Sequence, residues 1–136
     1  MTQEMTEFIE TNSIILHNEY GPSETHVVSC YTVPLHNSIS PIPIGRPIDN
    51  TQLYILSENK ELVSVGVEGE LFIGGYNLAA GYYHRPDLTK EAFIDISLDP
   101  ETSSSKRLYK TGDRARYLSN GLIQYLGRAD NQVKIR

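Results

Sequence analysis

Apolar and polar positions along this chain alternate in short runs, and most of those runs have the two-residue period of strands. One early stretch differs: Met5, Phe8 and Ile9 recur at helical spacing and predict a short helix over Thr2–Glu10. Ile14–Leu16 and Thr25–Val33 read as buried strands, and Ser38–Pro47 holds three prolines in an extended or looped stretch. Thr51–Leu56 and Leu62–Val67 flank Ser57-Glu58-Asn59-Lys60, a hairpin pattern, and Glu70–Gly74 follows as a strand. Pro86 and Asp87 precede a second short helix over Leu88–Phe93, with Thr89 as a capping residue and Glu91 favouring its first turn. Asp99–Lys106 reads as a polar loop with three serines in a row. Ser119-Asn120-Gly121 between Arg116–Leu118 and Leu122–Leu126 is the strongest hairpin signal, and Val133–Ile135 begins a further strand.

These elements describe a mainly β unit with one or two short helices. Its strands follow one another through short local connections, which favours a barrel or curled sheet over a parallel doubly wound one. A length of 136 residues fits one domain, and nine Tyr, seven Pro and ten Gly agree with a β-rich chain. With 17 acidic and 12 basic residues the net charge is −5, which argues against a nucleic-acid surface. The basic residues Lys106, Arg107 and Lys110 read as a solvated loop. Cys30 is the single cysteine, so an internal disulfide and a thiol metal site are excluded; its apolar surroundings make it a small core residue. The opening residues are polar and acidic, and no run has the length of a membrane span. A reducing, cytoplasmic setting without membrane partners is therefore expected.

Four segments carry residues suited to chemistry. In Asn18-Glu19-Tyr20-Gly21-Pro22-Ser23-Glu24, Gly21-Pro22 imposes a tight turn, Tyr20 offers a face for a base, Ser23 a hydroxyl and Glu24 a hard oxygen for magnesium. The same residues also make a β turn with an aromatic plug. In Tyr109-Lys110-Thr111-Gly112-Asp113, a carboxylate expected in a glycine-permitted turn between short strands can accept hydrogen bonds from both hydroxyls of a ribose, or simply satisfy nearby amides. In Gly127–Arg136, the forked guanidinium of Arg128 suits phosphate or ribose oxygens and equally a surface ion pair. The glycine-rich stretch Gly69–Tyr83, followed by Arg85-Pro86-Asp87-Leu88-Thr89, lacks the lysine spacing of a phosphate loop, and its glycines read as permitting close strand packing and turns.

Taken in order, these four segments resemble consecutive signature motifs of the adenylate-forming superfamily. Gln132-Val133-Lys134-Ile135-Arg136 is similar to the amino-acid-activating branch found in nonribosomal peptide synthetases, and Ile44–Thr51 resembles the family's segment between the first and second of these motifs. The resemblance runs from about Leu16 onward. It implies the distorted β-barrel subdomain of an adenylation domain over 41–129, preceded by the edge of an α/β subdomain over 1–40, with 130–136 holding the hinge and the start of the small C-terminal domain. It implies that Asn18, Tyr20, Gly21, Ser23, Asp113 and Arg128 contact ATP: Tyr20 stacks on adenine, Ser23 touches phosphate, Asp113 takes the ribose hydroxyls and Arg128 lies nearby. Glu24 helps hold magnesium. Glu19, Val27 and Val28 line the amino-acid pocket, and Asp130 is the hinge. Ala80 and Arg114 depart from the family pattern, at positions that carry no chemistry.

The implied reaction joins a carboxylate to the α-phosphorus of ATP, releases pyrophosphate, and passes the acyl group to the phosphopantetheine thiol of a carrier domain. The family's Ser/Thr/Gly-rich phosphate loop belongs before Asn18 and its catalytic lysine beyond Arg136, so no catalytic residue lies in the chain and the isolated chain is expected to be inactive. An acyl-CoA or aryl-acid ligase is the neighbouring alternative. A noncatalytic β binding module is the alternative of another class, and it places Tyr20 and Asp113 on different surfaces.

Overall fold

The computed structural model describes residues 2–35, 40–98 and 104–129. Helix α1 (Gln3–Thr11) opens the chain, with Thr2 as N-cap accepting a hydrogen bond from the Met5 amide at 3.3 Å. Strands β1 (Leu16–Tyr20), β2 (Ser29–Val33) and β3 (Arg46–Pro47) form an antiparallel sheet in chain order. Then come β4 (Thr51–Leu56), β5 (Glu68–Gly75), α2 (Pro86–Ala92), β6 (Phe93–Ile96), β7 (Lys106–Tyr117) and β8 (Ile123–Arg128). These strands build an antiparallel five-stranded sheet in the order β4-β5-β7-β6, with β8 also on β7. The architecture is the mainly β, curled one expected, with two short helices.

β7 organises the larger sheet. One of its edges pairs with β5 along its length, from Glu68↔Arg116 to Ile73↔Tyr109. The other edge is shared: β6 pairs with residues 106–109 and β8 with residues 113–117. Residues 110–112 lie between those two partners.

The core explains the strand choices. Along β5, Leu71, Phe72 and Ile73 are all buried, so the sheet is covered on both faces. One face places Leu71 and Ile73 with Leu53, Ile55, Phe93, Tyr109, Ala115 and Ile123, and takes in Tyr20, Val28 and Ile44 from around the smaller sheet. The other face joins Phe72 to Leu56, Ile96 and Leu108. The two sheets therefore share one core. They are also stitched through backbone: the Ile44 amide donates to the Ile123 carbonyl and the Ile123 amide to the Gly45 carbonyl, both at 2.9 Å.

Several expected elements change. The strand expected at Ile14–Leu16 runs instead over Leu16–Tyr20, because it pairs residue by residue with β2, from Leu16↔Val33 to Tyr20↔Ser29. The turn at Ser57–Lys60 forms, but Leu62–Val67 does not become a strand; a single bridge joins Leu62 to Leu56. Leu62, Val65 and Val67 are exposed and bring no face to the core, whereas Leu71–Ile73 do, so β5 takes the place beside β4. The second helix starts at Pro86 with Arg85 as N-cap and no side-chain cap. Thr89 lies inside that helix, donating to the Arg85 carbonyl at 2.8 Å and accepting from the Tyr82 amide at 2.9 Å. Phe93 begins β6, a strand too short to show a period. Lys106, Arg107 and Lys110 stand on β7 rather than in a loop, and the Arg107 guanidinium donates to the carbonyls of Ala79 and Ala80. The Asn-Gly hairpin joins β7 to β8 as expected. The strand expected at Val133–Ile135 lies outside the described residues. Among the described residues, no helix is long and apolar enough to cross a membrane.

Core and surface leucines give a direct check. Leu71→Ala, at a fully buried site, is expected to lower the unfolding free energy by about 2–5 kcal/mol, and Leu62→Ala, at a site 56% exposed, by less than about 0.5 kcal/mol. Urea unfolding of the two variants measures both.

Candidate functional site

The site begins with a buried charge. Asp113 is 1% exposed, and a carboxylate so placed requires donors. Its position on β7 follows from strand alternation, which puts Tyr109, Thr111, Asp113 and Ala115 on one buried face. Asp113 is thus not in a turn between short strands, as expected from Gly112, but inside one long strand. Gly112 adopts φ +71° and kinks that strand where neither β6 nor β8 pairs with it. Thr111 braces the kink: its hydroxyl donates to the Leu71 carbonyl at 2.6 Å and accepts from the Asp113 amide at 2.9 Å.

Three side chains converge on the carboxylate. The Tyr20 hydroxyl donates to Oδ2. The Tyr125 hydroxyl donates to Oδ1 at 3.4 Å. Arg128, opposite Asp113 in the β7–β8 register, places Nη1 3.5 Å from Oδ1 and donates to the Thr111 carbonyl at 3.2 Å. The rings of Tyr20 and Tyr125 lie 6.1 Å apart. Burial first, and then the Asp113 charge, push the Tyr20 phenol far above its ordinary range, so it stays protonated and donating.

The loop after Tyr20 is tightly built. The Val28 amide donates to the Tyr20 carbonyl at 2.8 Å and the Thr25 amide to the Pro22 carbonyl at 3.1 Å. A Cβ at Gly21 would fall 1.7 Å from the His26 carbonyl oxygen, so only glycine fits. Ser23 is exposed on this loop. Glu24 accepts a hydrogen bond from the Tyr82 hydroxyl at Oε1, 2.6 Å away, and its carbonyl accepts from the Ala79 amide at 2.9 Å. Burial, then the bond to Glu24, raise the Tyr82 phenol. Tyr109 is raised by burial and then by its bond to Tyr82 and the Glu24 charge. The loop thus meets β7 along a seam: Tyr20 meets Asp113, and four residues on, Glu24 lies with Tyr109, four residues before Asp113.

Other site candidates are placed as follows. The Asn18 amide donates to the Pro43 carbonyl at 2.7 Å and ties β1 to the proline segment. Glu19 is exposed on β1, opposite Cys30. Val27 is exposed and Val28 is fully buried in the shared core. Cys30 is not a core residue: it is half-buried, with Sγ 3.6 Å from His17 Nδ1, because its strand position alternates away from the core. Asp130 lies outside the described residues. Reading by motif passed over Tyr125, Tyr82 and Tyr109 as site residues. Their signal is a polar-tipped aromatic at a half-buried or buried strand or loop position, which calls for a polar partner.

The family model described as AMP-binding enzyme matches residues 1–83 of this chain. The chain belongs to the AMP-binding enzyme family. Within it, the similarity is to adenylation domains of nonribosomal peptide synthetases, of which the chain corresponds to a part. It is 45% identical to tyrocidine synthase 2 of Brevibacillus parabrevis over its whole length, spanning 4% of that protein. The solved structure of PA1221, an NRPS protein containing adenylation and PCP domains, superposes with a TM-score of 0.81 at 32% identity, over 93% of this chain and 26% of that one. A four-domain nonribosomal peptide synthetase, holo-AB3403, bound to AMP and glycine, gives a TM-score of 0.75 at 41% identity, over 89% of this chain and 9% of that one. The chain therefore spans a small part of the proteins it matches.

The phenols make a pH test. An unfolded tyrosine ionises near pH 10. Tyr20 in the folded protein holds its proton beyond that, so its contribution to stability is fully present below about pH 10 and is lost as pH rises further. Tyr20→Phe is expected to make the fall in stability above about pH 10 shallower by up to ~1.4 kcal/mol per pH unit. At neutral pH it should cost about 1–3 kcal/mol, since buried Asp113 loses a donor. Urea unfolding at a series of pH values reads both effects, and an unchanged alkaline slope would contradict the assignment.

Proposed function

We propose that the protein carrying this chain is an amino-acid-activating ligase of nonribosomal peptide synthesis. It joins an amino-acid carboxylate to the α-phosphorus of ATP, releases pyrophosphate, and transfers the aminoacyl group to the phosphopantetheine thiol of a peptidyl carrier domain. The observation that carries this reading is the meeting of Tyr20 and Arg128 at the buried Asp113 carboxylate, three residues from three separate family motifs.

The roles follow from the chemistry of each group. Asp113 accepts the two ribose hydroxyls, Tyr20 presents its ring to adenine, and Arg128 lies against the nucleotide beside them. In the present conformation Tyr20 occupies Asp113. Replacing a phenol by a ribose hydroxyl exchanges one neutral O–H donor for another, which costs little beyond moving the side chain. The exposed Ser23 hydroxyl suits a phosphate oxygen, with Gly21 shaping the loop and Asn18 holding β1 in place. Glu19, Val27 and Val28 border the amino-acid pocket; Val28 acts from within the core. Asp130 is the hinge to a small C-terminal domain, residues 41–129 the barrel subdomain and residues 1–40 the edge of the preceding one.

Among the described residues no group of three or more His, Cys, Asp or Glu could hold a metal. A lone carboxylate fits magnesium held mainly by ATP phosphates, with Glu24 as the protein oxygen. Magnesium bound there would neutralise phosphate charge. The carrier partner is supported by PA1221, whose structure contains adenylation and PCP domains.

ATP–pyrophosphate exchange on the full-length protein, scanned over amino acids, tests the reading. Asp113→Ala is expected to raise the KM for ATP by about 100-fold or more, since two hydrogen bonds to a charged group contribute about 1.5–3 kcal/mol each. Exchange at wild-type KM would refute the ribose role. The 136-residue chain alone is expected to bind ATP no tighter than about 1 mM, with no exchange.

A further inference from the structure

The pairing of Glu24 is not explained by the reading above. Glu24 sits on the Pro22–Thr25 turn, and the turn is fastened to a distant part of the chain. The Tyr82 hydroxyl donates to Glu24 Oε1 at 2.6 Å across 58 residues of sequence. The Ala79 amide donates to the Glu24 carbonyl at 2.9 Å.

Segment 79–82 is itself held on every side. The Arg107 guanidinium donates to the carbonyls of Ala79 and Ala80 at 3.0 and 2.8 Å, and lies 4.5 Å from the centre of the Phe93 ring. Thr89 fixes the Tyr82 amide at 2.9 Å. The Tyr82 ring packs edge-on against Phe93, with centroids 5.9 Å apart, and Phe93 packs on Tyr109 at 5.1 Å. Tyr82 thus carries a rigid hydroxyl into contact with one oxygen of a half-buried acid.

We propose that Tyr82 is a positioning residue for Glu24, taking Oε1 so that the carboxylate is aimed for the nucleotide-borne divalent cation through Oε2. Tyr109 lies against both, bonded to Tyr82 and within reach of Glu24. The proposal rests on the reading of Glu24 as the magnesium-binding acid. A carboxylate already fixed by a phenol loses less freedom when it takes a cation, so the benefit appears in cation-dependent binding rather than in nucleotide binding itself.

Calorimetry on the full-length protein with α,β-methylene-ATP, which cannot transfer its adenylyl group, tests this. The quantity read is the ratio of Kd without magnesium to Kd with it. Tyr82→Phe keeps the ring against Phe93 and is expected to shrink that ratio about three- to tenfold, the loss of one hydrogen bond, with the magnesium-free Kd unchanged within about twofold. Tyr83→Phe, at a side chain 89% exposed, should leave the ratio at wild type. Glu24→Gln should shrink the ratio by more than Tyr82→Phe does, leaving only the part that phosphate neutralisation supplies. If Glu24→Gln shrinks it and Tyr82→Phe does not alter it, the positioning role is wrong and the magnesium reading stands. A wild-type ratio in Glu24→Gln sinks both. A Tyr82→Phe protein that weakens magnesium-free binding equally shows a merely structural role and overturns the proposal. Tyr109→Phe is expected to shift the ratio in the same direction by less; should Tyr82→Phe not fold, an unchanged ratio in Tyr109→Phe overturns it.

Discussion

A carboxylate that is 1% exposed must be surrounded by donors, and that requirement at Asp113 ties the molecule together. Its partners come from the end of β1, from β8 and, through Thr111, from β5. If any of these strands shifted register by one residue, its donor would turn to the opposite face and Asp113 would be left unpaired. The arrangement of the sheets and the geometry around Asp113 are therefore one constraint met by the same residues.

The seam between the Tyr20–Glu24 loop and β7 shows how the two sheets cooperate. Each side contributes an acid and a tyrosine, with the order reversed, so each acid meets a phenol from the other side. Phenols suit this task because their rings contribute apolar area to the shared core while their hydroxyls serve the charge. A lysine in the same place would bring a second charge to desolvate. Fixing Glu24 with a neutral donor leaves its negative charge uncompensated, whereas Asp113 also carries the Arg128 ion pair.

Much of the architecture was legible in the residues, for identifiable reasons. The Asn-Gly turn and the apolar alternation of Leu53, Ile55, Leu71 and Ile73 are local signals, and the hairpin and core formed as they indicate. Leu62–Val67 misled because its apolar residues repeat like a strand, yet only Val63 packs on the core while Leu62, Val65 and Val67 are exposed, and competition for the edge of β4 is decided by tertiary burial. Gly112 read as a turn because positive φ is common there; a kink inside a long strand has the same local mark. Tyr20 and Arg128 meet at Asp113, while Glu24 lies with Tyr82 and Tyr109 farther along the same seam. That partnership spans 58 residues and leaves no trace in spacing.

The amide of Ala129 donates to the carbonyl of Gly112 at 2.8 Å, pinning the backbone directly beside the kink that presents Asp113. Arg128, one residue earlier, grips both the acid and the Thr111 carbonyl. The exit from β8 is thus anchored at the buried Asp113 carboxylate with no slack between them. A torque applied past Ala129 would bear directly on that carboxylate and its donors without any intervening relay.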